Sequence, residues 1–361
     1  MTKKSNQFIE EQKKSLDVYL AGIFAEYSTQ FQDHETSEAL FTYLQHFYIS
    51  GKSIRGSLFL QGLELFSPTQ TIDKTSHYPI AAALEVLHSL LLIQDDFMDQ
   101  DRFRRNLPAL YATFENQAKE NEFNHIDRYV ASSIMCATDI CFFIAIGELN
   151  KISTKLPANV LQTTLNEYIH VGFSQWKDVE VSHQTKTASP QLKTIKQIYK
   201  YKTARYTFTM PMVLAAQITG LNASQQKSLD VACEHLGMVY QITDDWLNIF
   251  GDSKKTGKPI ASDIIENKKT LYRYFFLKAL KLGTFKKFSH LSTFFGKSQL
   301  SSTEIEEVKS AFIVTNTVST LKSIITDYEK RFYVVIEQST LSNETKKFLS
   351  ELFQYIKQRE K

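Results

Sequence analysis

The 361-residue sequence is 43% hydrophobic, enough for a sizeable core in one large or two ordinary domains. Its 42 basic and 39 acidic residues leave a formal charge of +3, too even a balance for a nucleic-acid surface or a polybasic membrane anchor. Only 12 glycines and 7 prolines interrupt a chain rich in Leu, Lys, Glu, Gln and Ala, so long helices and an all-α fold are predicted.

The N-terminus, residues 1–15, is polar and charged without the apolar stretch of a secretory signal, which predicts a cytoplasmic protein. Apolar periodicity predicts helices over 7–31, 38–48, 55–66, 78–99, 127–149, 158–181, 195–218 and 224–249, then near 269–282, 304–333 and 344–359. The breaks at Ser67-Pro68, 119–125, 182–190 and 251–259, and the Ser/Gly-rich interruption at 296–302, are short and hold turn formers, so none reads as an interdomain linker. The longest apolar stretch, 80–93, is interrupted by Glu85 and His88 and is too short to span a bilayer; no transmembrane helix is predicted. Cys136, Cys141 and Cys233 lie in mostly apolar helical stretches without metal-ligand spacing and read as reduced core residues.

Two acid-rich pentads carry the chemistry: Asp95-Asp96-Phe97-Met98-Asp99 and Asp244-Asp245-Trp246-Leu247-Asn248. Residues at i, i+1 and i+4 project from nearly one face of a helix, and each pentad follows an apolar run, 90–93 and 239–242. One such pentad is commonly a solvated helix end. Two, at equivalent places on long apolar helices, predict a single domain, 1–361, built as an antiparallel helical bundle around a central cavity. Carboxylates at helix C-termini are disfavoured unless cations sit among them, and all-oxygen donors suit a hard divalent ion. Around the pentads lie Gly51-Lys52-Ser53-Ile54-Arg55, Arg104-Arg105, Lys202-Thr203, Lys258 and Lys268-Lys269. Aspartates with magnesium, surrounded by Lys and Arg, are the chemistry of a diphosphate ligand, and the basic groups suffice for two. No Walker A sequence or Gly-rich dinucleotide turn makes the ligand a nucleotide.

From Gly51 to Thr270 the chain resembles the trans-isoprenyl diphosphate synthases, the family of farnesyl, geranylgeranyl and longer polyprenyl diphosphate synthases. Six elements stand in that family's order: Gly51-Lys52-x-x-Arg55, Asp95-Asp96-x-x-Asp99 followed by Arg104-Arg105, Gln175-x-x-Asp178, Lys202-Thr203, Gln241-x-x-Asp244-Asp245, and Gly257-Lys258 with Asp263 and Lys268. The resemblance implies that Asp95, Asp99 and Asp244 hold magnesium, three ions per site, on an allylic diphosphate, with Asp96 and Asp245 acting through waters. It implies that Arg104, Lys202 and Lys258 contact that diphosphate and that Lys268 closes over it. Lys52, Arg55, His88 and Arg105 would hold isopentenyl diphosphate, and Thr203 and Gln241 would line the allylic cation. The implied reaction ionises dimethylallyl, geranyl or farnesyl diphosphate and couples it to isopentenyl diphosphate, usually in a homodimer. On the residues themselves, Gln175 and Asp178 read as a helix-face pair, with Asp178 orienting Lys202. The basic tail, 357–361, reads as a frayed terminus.

Four positions depart from the family pattern: Asn248 for the third aspartate of the second pentad, Asn106 for a glycine, Gly56 for a proline and Ser174 for a glycine. Asn248 removes a carboxylate, for which Asp252 one turn on would compensate. Leu90 and Leu91, where short-chain relatives carry aromatic rings, predict a deeper pocket and a C20 product, with C15 or longer as alternatives. The rival readings are a class I terpene cyclase, whose second metal motif normally carries Ser/Thr and Glu, and a non-catalytic regulatory subunit, which would tend to lose the aspartates kept here. Neither pentad has the loop glycine and ligand spacing of a helical calcium site.

Overall fold

A computed structural model describes residues 3–67, 73–105, 107–184, 190–251, 261–297 and 299–359, and helices dominate it as the periodicity predicts. The chain divides into two compact units, one formed by residues up to Leu161 with Leu214–Gly220, the other by Gln162–Val213 and the chain from Leu221 onward.

The first unit contains α1 (Lys3–Gln30), α2 (Ser37–Ile49), α3 (Ile54–Phe66), α4 (Tyr78–Asp99), α5 (Leu110–Glu120) and α6 (Ile126–Ile152). α4 is its core element: Pro79 stands in its first turn, where a missing N–H costs nothing, and every residue from Pro79 to Leu87 is buried. α3 lies close against it because position 56 is glycine. A Cβ there would overlap Leu16 Cδ2 and stand 2.9 Å from the Ala81 carbonyl oxygen. Between α4 and α5 the chain forms an antiparallel hairpin that periodicity does not show, β1 (Phe103–Arg104) with β2 (Leu107–Pro108), Arg104 opposite Leu107. Gln100 (φ 59°) and Arg105 (φ 54°) take left-handed conformations at the end of α4 and in the hairpin turn, and the chain doubles back there.

By length and composition two segments could cross a membrane, Lys74–Asp99 and Ile126–Lys155, where the sequence predicts none. The apolar window of the first is 67% buried, as in a core helix, and that of the second 39%. Cys141 and Cys233 are buried and free; Cys136, expected in the core, is exposed.

The second unit is built on α7 (Ala158–Ser182), α8 (Leu192–Ile198), a π-helical segment (Tyr199–Thr209), the start of α9 (Met210–Ile218), α10 (Ala223–Phe250), α11 (Ser262–Ile265), α12 (Leu271–Leu280), α13 (Ser302–Val314), α14 (Thr317–Gln338) and α15 (Asn343–Gln358). The helix predicted over 304–333 is two helices, because Asn316 takes φ 59° between them. α10 opens on a capping box: the Asn222 side chain accepts from Gln225 N–H at 3.0 Å, and Gln225 Oε1 accepts from Asn222 N–H at 3.1 Å. Gly237 lets α10 meet the π-helical segment, since a Cβ would stand 2.5 Å from Ala204 Cα. The same segment is held from outside by Arg205, whose guanidinium reaches Glu167 of α7 (2.5 Å) and Asp230 (2.9 Å) and Glu234 (3.1 Å) of α10. Burial works against that charge, but the hydrogen-bonded carboxylates raise its pKa further than burial lowers it.

Candidate active site

The first acidic pentad closes α4. Asp96 is buried there, and its Oδ1 accepts from Arg104 Nε at 2.6 Å and from Nη2 of the same guanidinium. The hairpin makes this possible, for it returns Arg104 to the face of α4; Nη2 also stands 3.9 Å from Asp95 and 3.5 Å from Asp101. Burial pushes Asp96 up to about 6, with Arg104 pulling back. Burial opposes the Arg104 charge in turn, yet Asp96, Asp95 and Asp101 carry its pKa upward.

About two to three helical turns before the pentad, α4 presents Glu85 and His88 to a cluster of guanidiniums. Glu85 Oε1 accepts the Gly56 N–H at 2.8 Å, which explains the departure at position 56: proline has no such hydrogen. Burial raises the Glu85 pKa, while Arg55, the Gly56 N–H and Arg105 hold it back. Arg105 Nη1 donates to the Phe47 carbonyl at 2.7 Å, and its Cζ lies 4.9 Å from the Phe47 ring centroid. Gly51 leaves the room for this, since a Cβ would sit 2.6 Å from Arg105 Nη1. Burial, followed by Arg55, Arg105 and Arg104, depresses the His88 pKa well below its ordinary value, so its ring is neutral at pH 7. The charges of Arg55 and Arg105 thus both act on His88, and Lys52, three residues before Arg55, is exposed.

The second pentad closes α10. Thr203 Oγ1 donates to Gln241 Oε1 at 2.6 Å, and Gln241 Nε2 donates to Asp245 Oδ1 at 2.7 Å. The other Asp245 oxygen accepts from the Tyr199 hydroxyl, which itself accepts the Leu271 N–H at 2.9 Å. Asp245 is therefore a buried, doubly bonded carboxylate, and burial and the Asp263 charge raise its pKa despite those two donors. Asp244 is the more exposed of the pair, and Arg359 Nη2 stands 3.5 Å from its Oδ1. Lys202 pairs with Asp178 at 2.6 Å, the orienting contact read from the sequence. Lys268 pairs with Glu266 at 2.8 Å. Lys258, Asn106 and Asp252 lie outside the described residues.

Among the described residues no three acidic or imidazole side chains close on one point. Magnesium needs only one or two protein carboxylates, waters and phosphate oxygens completing its octahedron. The donors present fit it: Asp96 Oδ2 is buried and has no hydrogen-bond partner among the described residues, and at Asp244 a guanidinium already stands where a cation is favoured.

The polyprenyl synthetase family model matches residues 37–312. The chain belongs to that family. It is 30% identical to the geranylgeranyl diphosphate synthase of Saccharolobus solfataricus over 62% of each protein, and 26% identical to the farnesyl diphosphate synthase of Geobacillus stearothermophilus over 73% of this chain and 82% of that one. Matches to three curated relatives span 56 to 64% of those relatives' lengths. The geranylgeranyl pyrophosphate synthase of Corynebacterium glutamicum, solved with isoprenyl diphosphate and magnesium, superposes with a TM-score of 0.86 at 21% identity over 97% of this chain and 99% of that one. This member of the family thus has the all-α isoprenoid synthase fold.

Tyr199, Glu85 and Arg359 are the site residues that no motif marks. Only Glu85 leaves a trace in the sequence, as a charge inside an apolar run.

Proposed function

We propose that this polyprenyl synthetase is a prenyltransferase acting as one catalytic domain, 1–361. With magnesium, three ions per site, it would condense isopentenyl diphosphate with an allylic diphosphate, 1'-4 and trans, to a short-chain product, C20 in the first instance. The observation that carries this is the Arg55–His88–Arg105 group. The guanidiniums of Arg55 and Arg105 act on Glu85 and on a histidine kept neutral, a basic setting that suits an anion such as diphosphate.

In this reading Lys52, Arg55, His88 and Arg105 hold isopentenyl diphosphate, and Arg104, Lys202, Lys258 and Lys268 hold the allylic diphosphate. Magnesium on Asp95, Asp99 and Asp244, when bound, supplies neutralisation of the charge on the leaving group. The allylic C–O bond breaks with its electron pair departing on diphosphate. The isopentenyl double bond then forms the new C–C bond, and the resulting cation loses a proton to the released diphosphate. Asp178 fixes the Lys202 ammonium, and the Thr203–Gln241 pair, locked by its own hydrogen bond, lines the cation. Leucines rather than aromatic rings at positions 90 and 91 would leave a deeper floor for the growing chain, which favours C20 over C15. The exposed apolar side chains of α6, Met135 (67%) and Phe143 (69%), and of α7, Phe173 (64%) and Trp176 (71%), support a homodimer.

The test is purified protein with magnesium, labelled isopentenyl diphosphate and, separately, dimethylallyl, geranyl and farnesyl diphosphate, with product length read after dephosphorylation. A C20 alcohol supports both reaction and pocket. C15 or a longer chain keeps the reaction and removes the leucine-floor argument. No condensation with any primer overturns the synthase and favours a cyclase or a regulatory subunit.

A further inference from the structure

Tyr199 stands outside every motif, yet its buried hydroxyl joins three elements. It opens the π-helical segment, donates to Asp245 of α10, and accepts the N–H of Leu271, the first residue of α12. That N–H is one of the donors a helix leaves without an internal acceptor. Thr270, the N-cap, takes a different one, accepting from Arg273 N–H at 3.3 Å. The tyrosine is thus a second side-chain acceptor for the helix turn that begins three residues after Lys268. Its proton goes to the oxygen of Asp245 that Gln241 leaves, so Thr203, Gln241, Asp245, Tyr199 and the Leu271 amide form one continuous chain of hydrogen bonds. Phenylalanine would fill the same space and break that chain at one atom.

We propose that Tyr199 is a positioning residue for the allylic diphosphate, its hydroxyl locking the second acidic pentad to the start of α12 so that Asp244 and Lys268 keep a fixed separation. This rests on the synthase reading above and goes beyond it, since Tyr199 touches no substrate. Removing the hydroxyl leaves a buried carboxylate oxygen and a buried amide without partners, and both ends of the link loosen. The isopentenyl group, carried by α3, α4 and the hairpin, lies in the other unit of the chain and is not held by this link.

The experiment is Tyr199→Phe in the full chain, with folding checked by thermal melting. Affinity for geranyl S-thiolodiphosphate with magnesium would be measured by calorimetry, and exchange of the Leu271 amide by NMR. Expected are a loss of about five- to tenfold in thiolodiphosphate affinity, unchanged isopentenyl diphosphate affinity, and faster Leu271 exchange. Faster exchange with unchanged thiolodiphosphate affinity would make Tyr199 merely structural and overturn the proposal. Should the variant not fold, wild-type protein still decides it: the Leu271 amide gains protection when magnesium and the thiolodiphosphate are added, and no change there sinks the proposal. If wild type does not bind the thiolodiphosphate at all, the synthase reading itself fails and takes this one with it.

Discussion

Asn248 turns its amide onto Asp263, Nδ2 standing 3.2 Å from one carboxylate oxygen and 3.4 Å from the other. The family's aspartate at this position would face Asp263 with a second negative charge, beside Asp244 and Asp245. The amide instead supplies a donor, so one buried carboxylate is satisfied without metal.

Asn248→Asp should therefore destabilise the metal-free protein and make it lean on magnesium. The change exchanges a hydrogen bond to a charged group for repulsion, a loss of about 1–3 kcal/mol. In thermal melts the variant should unfold earlier than wild type without magnesium and show the larger upward shift when magnesium is added. Equal magnesium shifts in the two proteins would refute this.

His88 provides a pH test. Its folded pKa lies well below the ordinary histidine value, burial being the main cause, so the unfolded chain binds the proton that the folded one refuses. Stability from this group is present above about 6.5 and is lost as pH falls below it. His88→Gln keeps a hydrogen-bonding side chain and cannot be protonated. Urea melts at pH 7.5 and 5.5 should show a smaller loss of stability in the variant, and its isopentenyl diphosphate affinity should stay within a few-fold of wild type. A loss as steep as that of wild type would place the acid sensitivity elsewhere.

How much of this is legible in the sequence depends on how far apart the partners lie. Asp95, Asp96 and Asp99, or Gln241, Asp244 and Asp245, share a helix face, and fixed geometry relates them by number alone. Lys202 with Asp178 is within reach of the same reasoning, because each is paired with a named helix. Arg104 on Asp96 is not, since the contact requires the hairpin and the left-handed Gln100 before it, which periodicity cannot show. The Tyr199 link spans 46 positions to Asp245 and 72 to Leu271 and depends on a π-helical register that no composition rule announces. The break at Asn316 is a single residue in an unbroken apolar pattern, and only its backbone angle reveals it.

Arg359, in the tail read as a frayed end, lies with its Cζ 4.4 Å from the Tyr240 ring centroid and within 3.5 Å of Asp244. A guanidinium beside a carboxylate competes with any metal for it. Asp244 is partly exposed, so the contact is weak, and Arg359→Ala should tighten manganese binding only about two- to fivefold with little change in melting temperature. Paramagnetic titration with manganese would measure this, and an unchanged or weaker affinity would show that Arg359 assists rather than competes.

Lys269 is almost wholly buried, its Nζ has no hydrogen-bond partner among the described residues, and the nearby Arg273 adds a like charge. Burial first, and Arg273 second, lower its pKa to about 8. Between about 8 and the ordinary lysine value near 10.4 the unfolded chain therefore holds a proton that the folded chain has released, and stability rises with pH across that window. Below it both states are charged and the full desolvation penalty applies. Lys269→Met keeps the length of the side chain and removes the charge, so it should stabilise the protein at pH 7 by about 1–3 kcal/mol and flatten the rise between pH 8 and 10. Urea unfolding of both proteins at pH 7 and pH 10 decides it. A methionine variant that is less stable at pH 7 would mean that the ammonium contributes net stability where it stands, and would overturn this account.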